Sequence, residues 1–320
     1  MGGEILFGFD VEGTKFSKEY VEEKFEILQG KVKLLEIPVY RFFSSPLEIN
    51  RELLQWFLDL SQSYSFEFTA HAEDRLSFIL PYPPDEREKK RAELEIGLAE
   101  KIGAKKIVFH QLVEKGIPLL ESHENFNVRL TLENTSNVSP FVVQQTARKL
   151  GLGFTLDVSH TFLYAAEHEM EDEVYDWFKR FDPEHLHISN TYYEAPSLIE
   201  SVLFLLKGDP ASAFTKLRGD FHLPLNYGHI DFKLVFKDLK IPRTIIMEIN
   251  TTNYEMLMRS AGKKHSIERG YEEDVKFLRS ILKNKRGSQL SAIPLVGRKK
   301  LKKVLLSRIQ RNNLQKAHTD

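Results

Sequence analysis

Eight short apolar runs alternate with amphipathic stretches along this chain, and that alternation limits the fold more than any other feature. The runs are Ile5–Phe9, Val32–Ile37, Ser65–Ala70, Lys106–Phe109, Asn127–Leu132, Phe154–Asp157, His185–Ile188 and Thr244–Met247. Between them, Ser17–Leu28, Leu47–Leu60, Asp85–Ile102, Pro140–Leu150, Phe162–Phe178 and Tyr271–Leu282 repeat apolar residues at helical spacing. In the first of these, Tyr20, Val21, Phe25 and Leu28 fall on one face. Strands separated by helices pair in parallel through crossover connections. Eight such units in roughly 285 residues predict a (β/α)8 barrel. An open doubly wound sheet fits less well, because no Gly-rich phosphate turn follows the first run. A partly helical excursion is expected over Ala195–Leu217.

The ends of the runs carry the chemistry. Ser65–Ala70 is followed by His71, Lys106–Phe109 by His110, Asn127–Leu132 by Glu133, and Thr244–Met247 by Glu248. Phe154–Asp157 ends in its own acid with His160 three residues on, and His187 lies near the end of its run. Taken alone, Asp157 reads as the cap of the next helix. In a barrel, however, every strand's carboxyl end opens on one mouth, so these scattered residues converge there. Asp220 and His222, in a D-x-H read as a loop, complete a set of nine. Carboxylates and neutral imidazoles with no Lys or Arg among them suit divalent cations, and nine donors suit two or three ions. Zinc is the first expectation, manganese the second. Glu133 and Glu248 are assigned to positioning the ions and a water.

Composition narrows the surroundings. The 320 residues include no cysteine, so thiolate metal sites and disulfides are excluded. A net charge of −1 gives no overall field toward a partner. The two ends of the chain differ. From Lys283 onward eleven Lys or Arg face one acid, Asp320, which leaves about −11 on the rest. The expected domains are a barrel over residues 1–284 and a basic linker with a C-terminal helix over 285–320. Lys299–Leu314 reads either as a solvated helix or as a basic amphipathic arm. On the second reading Lys299, Lys300, Lys302 and Lys303 contact nucleic-acid phosphates. No basic start followed by a long apolar segment opens the chain, and no run reaches about 18 apolar residues, so a cytoplasmic protein is expected.

The ordered series A-His71, F-His110, L-Glu133-N, Asp157-V-S-His160, L-His187-I-S, G-Asp220-F-His222 and M-Glu248 resembles the endonuclease IV group (AP endonuclease family 2) of the xylose isomerase-like barrels. The resemblance spans about Ile5 to Leu282. It implies three zinc ions, the first held by His71, His110 and Glu133. Glu133 would bridge to a second held with Asp157, His187 and Glu248, and His160, Asp220 and His222 would hold a third. The implied activity is hydrolysis of a DNA phosphodiester at an abasic or damaged site. An alternative stands beside it. Sugar isomerases and epimerases of the same barrels bind one ion at positions resembling Glu133, Asp157, His187 and Glu248, and the turn Gly228-His229-Ile230-Asp231 resembles theirs.

Overall fold

A computed structural model describes residues 4–11, 16–73, 79–80, 84–113, 117–119, 125–193, 219–253, 255 and 267–287. Eight parallel strands form its centre: β1 Leu6–Asp10, β2 Leu34–Pro38, β3 Glu67–His71, β4 Lys106–Gln111, β5 Arg129–Asn134, β6 Gly153–Asp157, β7 His185–Ile188 and β8 Thr244–Met247. They hydrogen-bond in the order β3-β2-β1-β8-β7-β6-β5-β4. Pairing of Ala70 with Ile107 and His71 with Val108 joins β3 to β4 and closes the ring. The fold is a (β/α)8 barrel.

Several strands run one or two residues past their apolar stretch. His71, His110, Glu133 and Asp157 are therefore strand residues in register with a neighbour: His110 pairs with Glu133, and Asp157 with His187. Pro38 sits at the last position of β2, where a missing N–H does least damage.

Helices start where side chains satisfy the free N–H groups of the first turn. Ser17 caps α1 (Lys18–Leu28), Asn50 caps α2 (Arg51–Gln62), and Asp85 forms a capping box with Glu88 at α3 (Glu86–Lys101). Helix α4 spans Pro140–Lys149 with proline in its first turn. The stretch read as one helix over Phe162–Phe178 is instead α5 (Val158–Glu167) and a short α6 (Val174–Trp177). It begins early because Asp157 caps it, and Glu169, at φ 58°, breaks it. Leu47–Ile49 precedes α2 because residues 43–49 form a two-stranded ribbon. Helix α7 (Phe232–Asp238) follows Asp231, whose carboxylate accepts from Lys233 N–H, and α8 covers Ile267–Gly287.

The main core lies between strands and helices, where Phe25, Phe57, Phe109, Phe162 and Phe178 are fully buried. Each contributes about 2–3 kcal/mol relative to exposure. A separate apolar cluster, Leu6, Leu34 and Ile246, comes from three adjacent strands. Above it the interior turns polar, with Thr69, Thr131 and Thr155 fully buried. A Cβ at Gly8 would fall 1.6 Å from Leu34 O, so only glycine lets β1 approach β2 there. Among the described residues no helix is long and apolar enough to cross a membrane. The excursion expected over 195–217 and the arm with Lys299, Lys300, Lys302 and Lys303 lie outside the described residues.

Candidate metal centre

Period-two alternation sends Glu133, Asp157 and His187 inward at the carboxyl ends of β5, β6 and β7, each two residues beyond an inward polar residue (Thr131, Thr155 and His185). All three are 0% exposed. The nine residues anticipated from the sequence meet here in three groups. His71, His110 and Glu133 form one; Glu133, Asp157, His187 and Glu248 a second; His160, Asp220 and His222 a third. Within each group, and in a fourth set made of Glu36, His71, His187 and Glu248, one donor atom per residue lies within 4.8 Å of all the others.

The spacings are those of ligands around an ion. Two ligands about 2.0–2.1 Å from a tetrahedral zinc stand about 3.3 Å apart. Glu133 Oε2 lies 3.3 Å from both His71 Nε2 and His110 Nε2. Its other oxygen, Oε1, is 3.1 Å from His187 Nδ1, which is 3.0 Å from Glu248 Oε1. Glu133 thus offers one oxygen to each of two groups. Asp220 Oδ2 lies 2.8 Å from His160 Nε2 and 3.1 Å from His222 Nε2.

Asp157 Oδ2 is buried without a hydrogen-bond partner, and Glu133 Oε1 and His187 Nδ1 are buried with only each other and Glu248 Oε1 nearby. Buried acceptors so placed are costly in a protein interior, and a cation between them would satisfy them. The histidines are prepared to match. His71 Nδ1–H donates to Ala72 O at 2.8 Å and His160 Nδ1–H to Asn134 O at 2.9 Å, which leaves each Nε2 lone pair facing the site. The donor set fits zinc or a similar divalent ion.

Asp157 is both cap and candidate ligand. Its Oδ1 accepts from His160 N–H and Ser159 Oγ–H, while Oδ2 is the orphan. Asn134 holds this corner, donating Nδ2–H to Asp157 O and accepting Asp157 N–H. His160 therefore stands in the first turn of α5. Asp220 and His222 lie on a strand, Gly219–Leu223, not in a loop; its antiparallel partner is Asn190–Tyr192. His222 has φ 46°, a left-handed conformation that costs a non-glycine residue about 1 kcal/mol. In the next turn a Cβ at Gly228 (φ 113°) would strike Asn190 Oδ1 at 2.4 Å. That oxygen accepts Thr191 and Ile230 N–H.

Charge explains the protonation pattern. Burial opposes an imidazolium at His187, yet Glu133, Glu248 and Glu36 draw its pKa well above the ordinary histidine value. Burial likewise opposes charge on His160 and His222, but Asp157 and Asp220 raise the first and Asp220 raises the second to about 10. Glu133 is held well below the usual carboxylate range, against burial, by His187 and His110. Burial pushes Asp157 up to about 6, against His160 and with Glu248. The cluster of acids demands positive charge; without an ion, protons on the imidazoles supply it. Ligation needs those imidazoles neutral, so binding an ion releases protons.

The sequence reading missed Glu36, a buried acid on β2 that faces His185 and His187. Its signal was a single charge inside Leu34-Leu35-Glu36-Ile37-Pro38.

No protein-family model and no curated protein matches the sequence. Solved structures do. L-ribulose 3-epimerase superposes with a TM-score of 0.56 at 13% identity, covering 91% of this chain and 100% of its own. The IolI protein with a bound zinc atom gives 0.54 at 13%, covering 90% and 100%. The TTHB071 protein from Thermus thermophilus, soaked with ZnCl2, gives 0.50 at 17%, covering 82% and 100%. In fold, the chain is a (β/α)8 barrel like these three. Sugar epimerases and the zinc-bound IolI share that barrel, and the three ligand groups described above sit at its mouth.

Proposed function

We propose that this barrel is a metal-dependent phosphodiesterase of the endonuclease IV type, which hydrolyses DNA at abasic or damaged sites. The observation that carries the reading is the three-group arrangement itself. One ion accounts for four donors at most in a zinc-like shell, whereas nine converge, with Glu133 presenting an oxygen to two groups. Divalent ions there would supply charge stabilisation for a phosphoryl group and lower the pKa of a water. The chain's own residues set the stage. Glu133 and Glu248 fix the spacing of the groups, and the Nδ1–H bonds of His71 and His160 hold their rings in place. Asp220 and His222, 35% and 27% exposed, form the side of the site nearest solvent, where substrate arrives. The basic arm with Lys299, Lys300, Lys302 and Lys303 would add phosphate contacts.

The test is elemental analysis of the protein together with nicking of an abasic-site duplex. About three ions per chain, and nicking abolished in both His110→Ala and Asp220→Ala, are expected. Ending the chain after Gly287 should lower DNA affinity and flatten its salt dependence; an unchanged slope removes the arm from the reading.

Likeness to L-ribulose 3-epimerase favours a second reading, a single-metal sugar isomerase or epimerase. Glu133, Asp157, His187 and Glu248 would then hold one ion, with the two glutamates moving a proton beside a carbonyl. On that reading Asp220→Ala costs little and elemental analysis gives about one ion.

A further inference from the structure

Below the ligand groups a chain of hydrogen bonds runs toward the opposite end of the barrel. Lys106 Nζ–H donates to Thr244 Oγ1 at 2.9 Å, and Thr244 Oγ1 is 2.7 Å from His185 Nδ1. His185 Nε2 is 3.3 Å from Glu36 Oε2, which also accepts Thr69 Oγ1–H at 3.0 Å. His187 Nε2 then lies 3.4 Å from the same oxygen and 3.1 Å from Glu36 Oε1. The carboxylate end sets the protons. The Thr244 hydroxyl has two acceptors in reach, Glu184 O at 3.4 Å and His185 Nδ1; Glu36 needs the His185 proton on Nε2, which leaves Nδ1 to accept from Thr244. The neutral His185 ring then carries its proton on Nε2 and gives it to Glu36. An ionised carboxylate only accepts, so His187 also faces Glu36 with Nε2–H. Glu36 is 1% exposed.

We propose that Glu36 is the positioning residue of the second ligand group: it fixes the tautomer of His187 with the proton on Nε2 and thereby aims the Nδ1 lone pair at the ion. With Nε2 turned to Glu36, His187 Nδ1 points between Glu133 Oε1 at 3.1 Å and Glu248 Oε1 at 3.0 Å, the place an ion shared with those oxygens would take. The inference rests on the metal-site reading above and would serve the one-ion reading equally, because His187 belongs to both. It adds a dependence that the ligand list lacks. A carboxylate behind a ligating imidazole typically governs metal affinity tenfold to a hundredfold.

The experiment is a zinc titration against a competing chelator, run on the full chain and on Glu36→Gln. The glutamine keeps the shape but can turn an amide N–H toward His187, which pushes the ring proton to Nδ1. Expected are a tenfold or greater loss of affinity for one ion and, in long-range ¹H–¹⁵N spectra, a His187 proton moved from Nε2 to Nδ1. In a His187→Ala background the Glu36→Gln change should have no further effect on zinc affinity. Wild-type affinity in Glu36→Gln overturns the proposal, as does a further loss in the His187→Ala background, since Glu36 would then act on the ion directly. Should Glu36→Gln fail to fold, Glu36→Asp, too short to reach His187, takes its place with the same expected loss. Absence of zinc binding by the wild-type chain defeats the metal reading itself, an outcome distinct from either.

Discussion

The deep and the outer parts of the candidate centre are built by different means. Glu133, Asp157 and His187 stand on barrel strands, are 0% exposed, and are locked from behind by Asn134 and Glu36. Asp220 and His222 stand on a ribbon held by side attachments: Asn250 N–H to His222 O, Asn253 Nδ2–H to Phe221 O, and Asp274 Oδ1 accepting Leu225 N–H. Strand-borne donors cannot move without opening the ring, whereas ribbon-borne donors can shift with their few ties. The contrast predicts a tightly held inner pair of positions and a more exchangeable outer one.

The largest effect should come from Glu133→Gln. It removes the carboxylate charge shared by two groups, so elemental analysis should show two ions fewer and nicking should fall below detection. Loss of only one ion would mean that the inner groups are independent.

A smaller effect concerns the ties of the ribbon. Burial pushes Asp274 up to about 8, with Leu225 N–H opposing and Glu273 assisting. Its unfolded value is about 3.9. The folded chain therefore binds a proton that the unfolded chain releases between about pH 4 and 8. The stability this proton provides is complete below pH 4 and is lost as pH rises through 8. Asp274→Asn keeps the acceptor for Leu225 and removes the titrating carboxyl. Thermal melts of the variant should lose this pH dependence and gain at pH 8 on the order of a few kcal/mol. Equal pH slopes in both proteins would leave the ribbon's attachment untouched by Asp274.

The smallest effect is at His222. Replacing it with glycine relieves the left-handed strain, so above about pH 10, where the ring carries no charge to offset Asp220, the metal-free chain should gain up to about 1 kcal/mol, and at neutral pH the variant should bind one ion fewer. Stability measured in chelator checks the first part and elemental analysis the second. A destabilised His222→Gly would show that packing of the ring outweighs the strain.

The parts differ in how far the sequence discloses them. The eight strands and the inner donors were readable because apolar runs ending in His, Asp or Glu follow directly from the barrel's geometry. Glu36 escaped because attention to run ends overlooks an acid inside a run, and its meaning depends on His185 and His187, 149 and 151 positions away. Asp220 and His222 were found as a pair, but their strand was read as a loop since its partner, Asn190–Tyr192, is distant in sequence. The single helix read over Phe162–Phe178 failed for a local reason. Asp157 starts α5 early, and the turn at Glu169 ends any continuation.

The closing pair of strands, β3 and β4, has a wider consequence. Donors from His71 through Glu248 come from five barrel strands, the first turn of α5, the ribbon and the end of β8, so the coordination shells assemble only when the ring is closed. Ions captured by the finished ring and not by the unfolded chain stabilise it by mass action, in proportion to the logarithm of free metal. A cation here would therefore serve as a rivet as well as a reagent, and metal scarcity would register as thermal fragility before it registered as lost turnover.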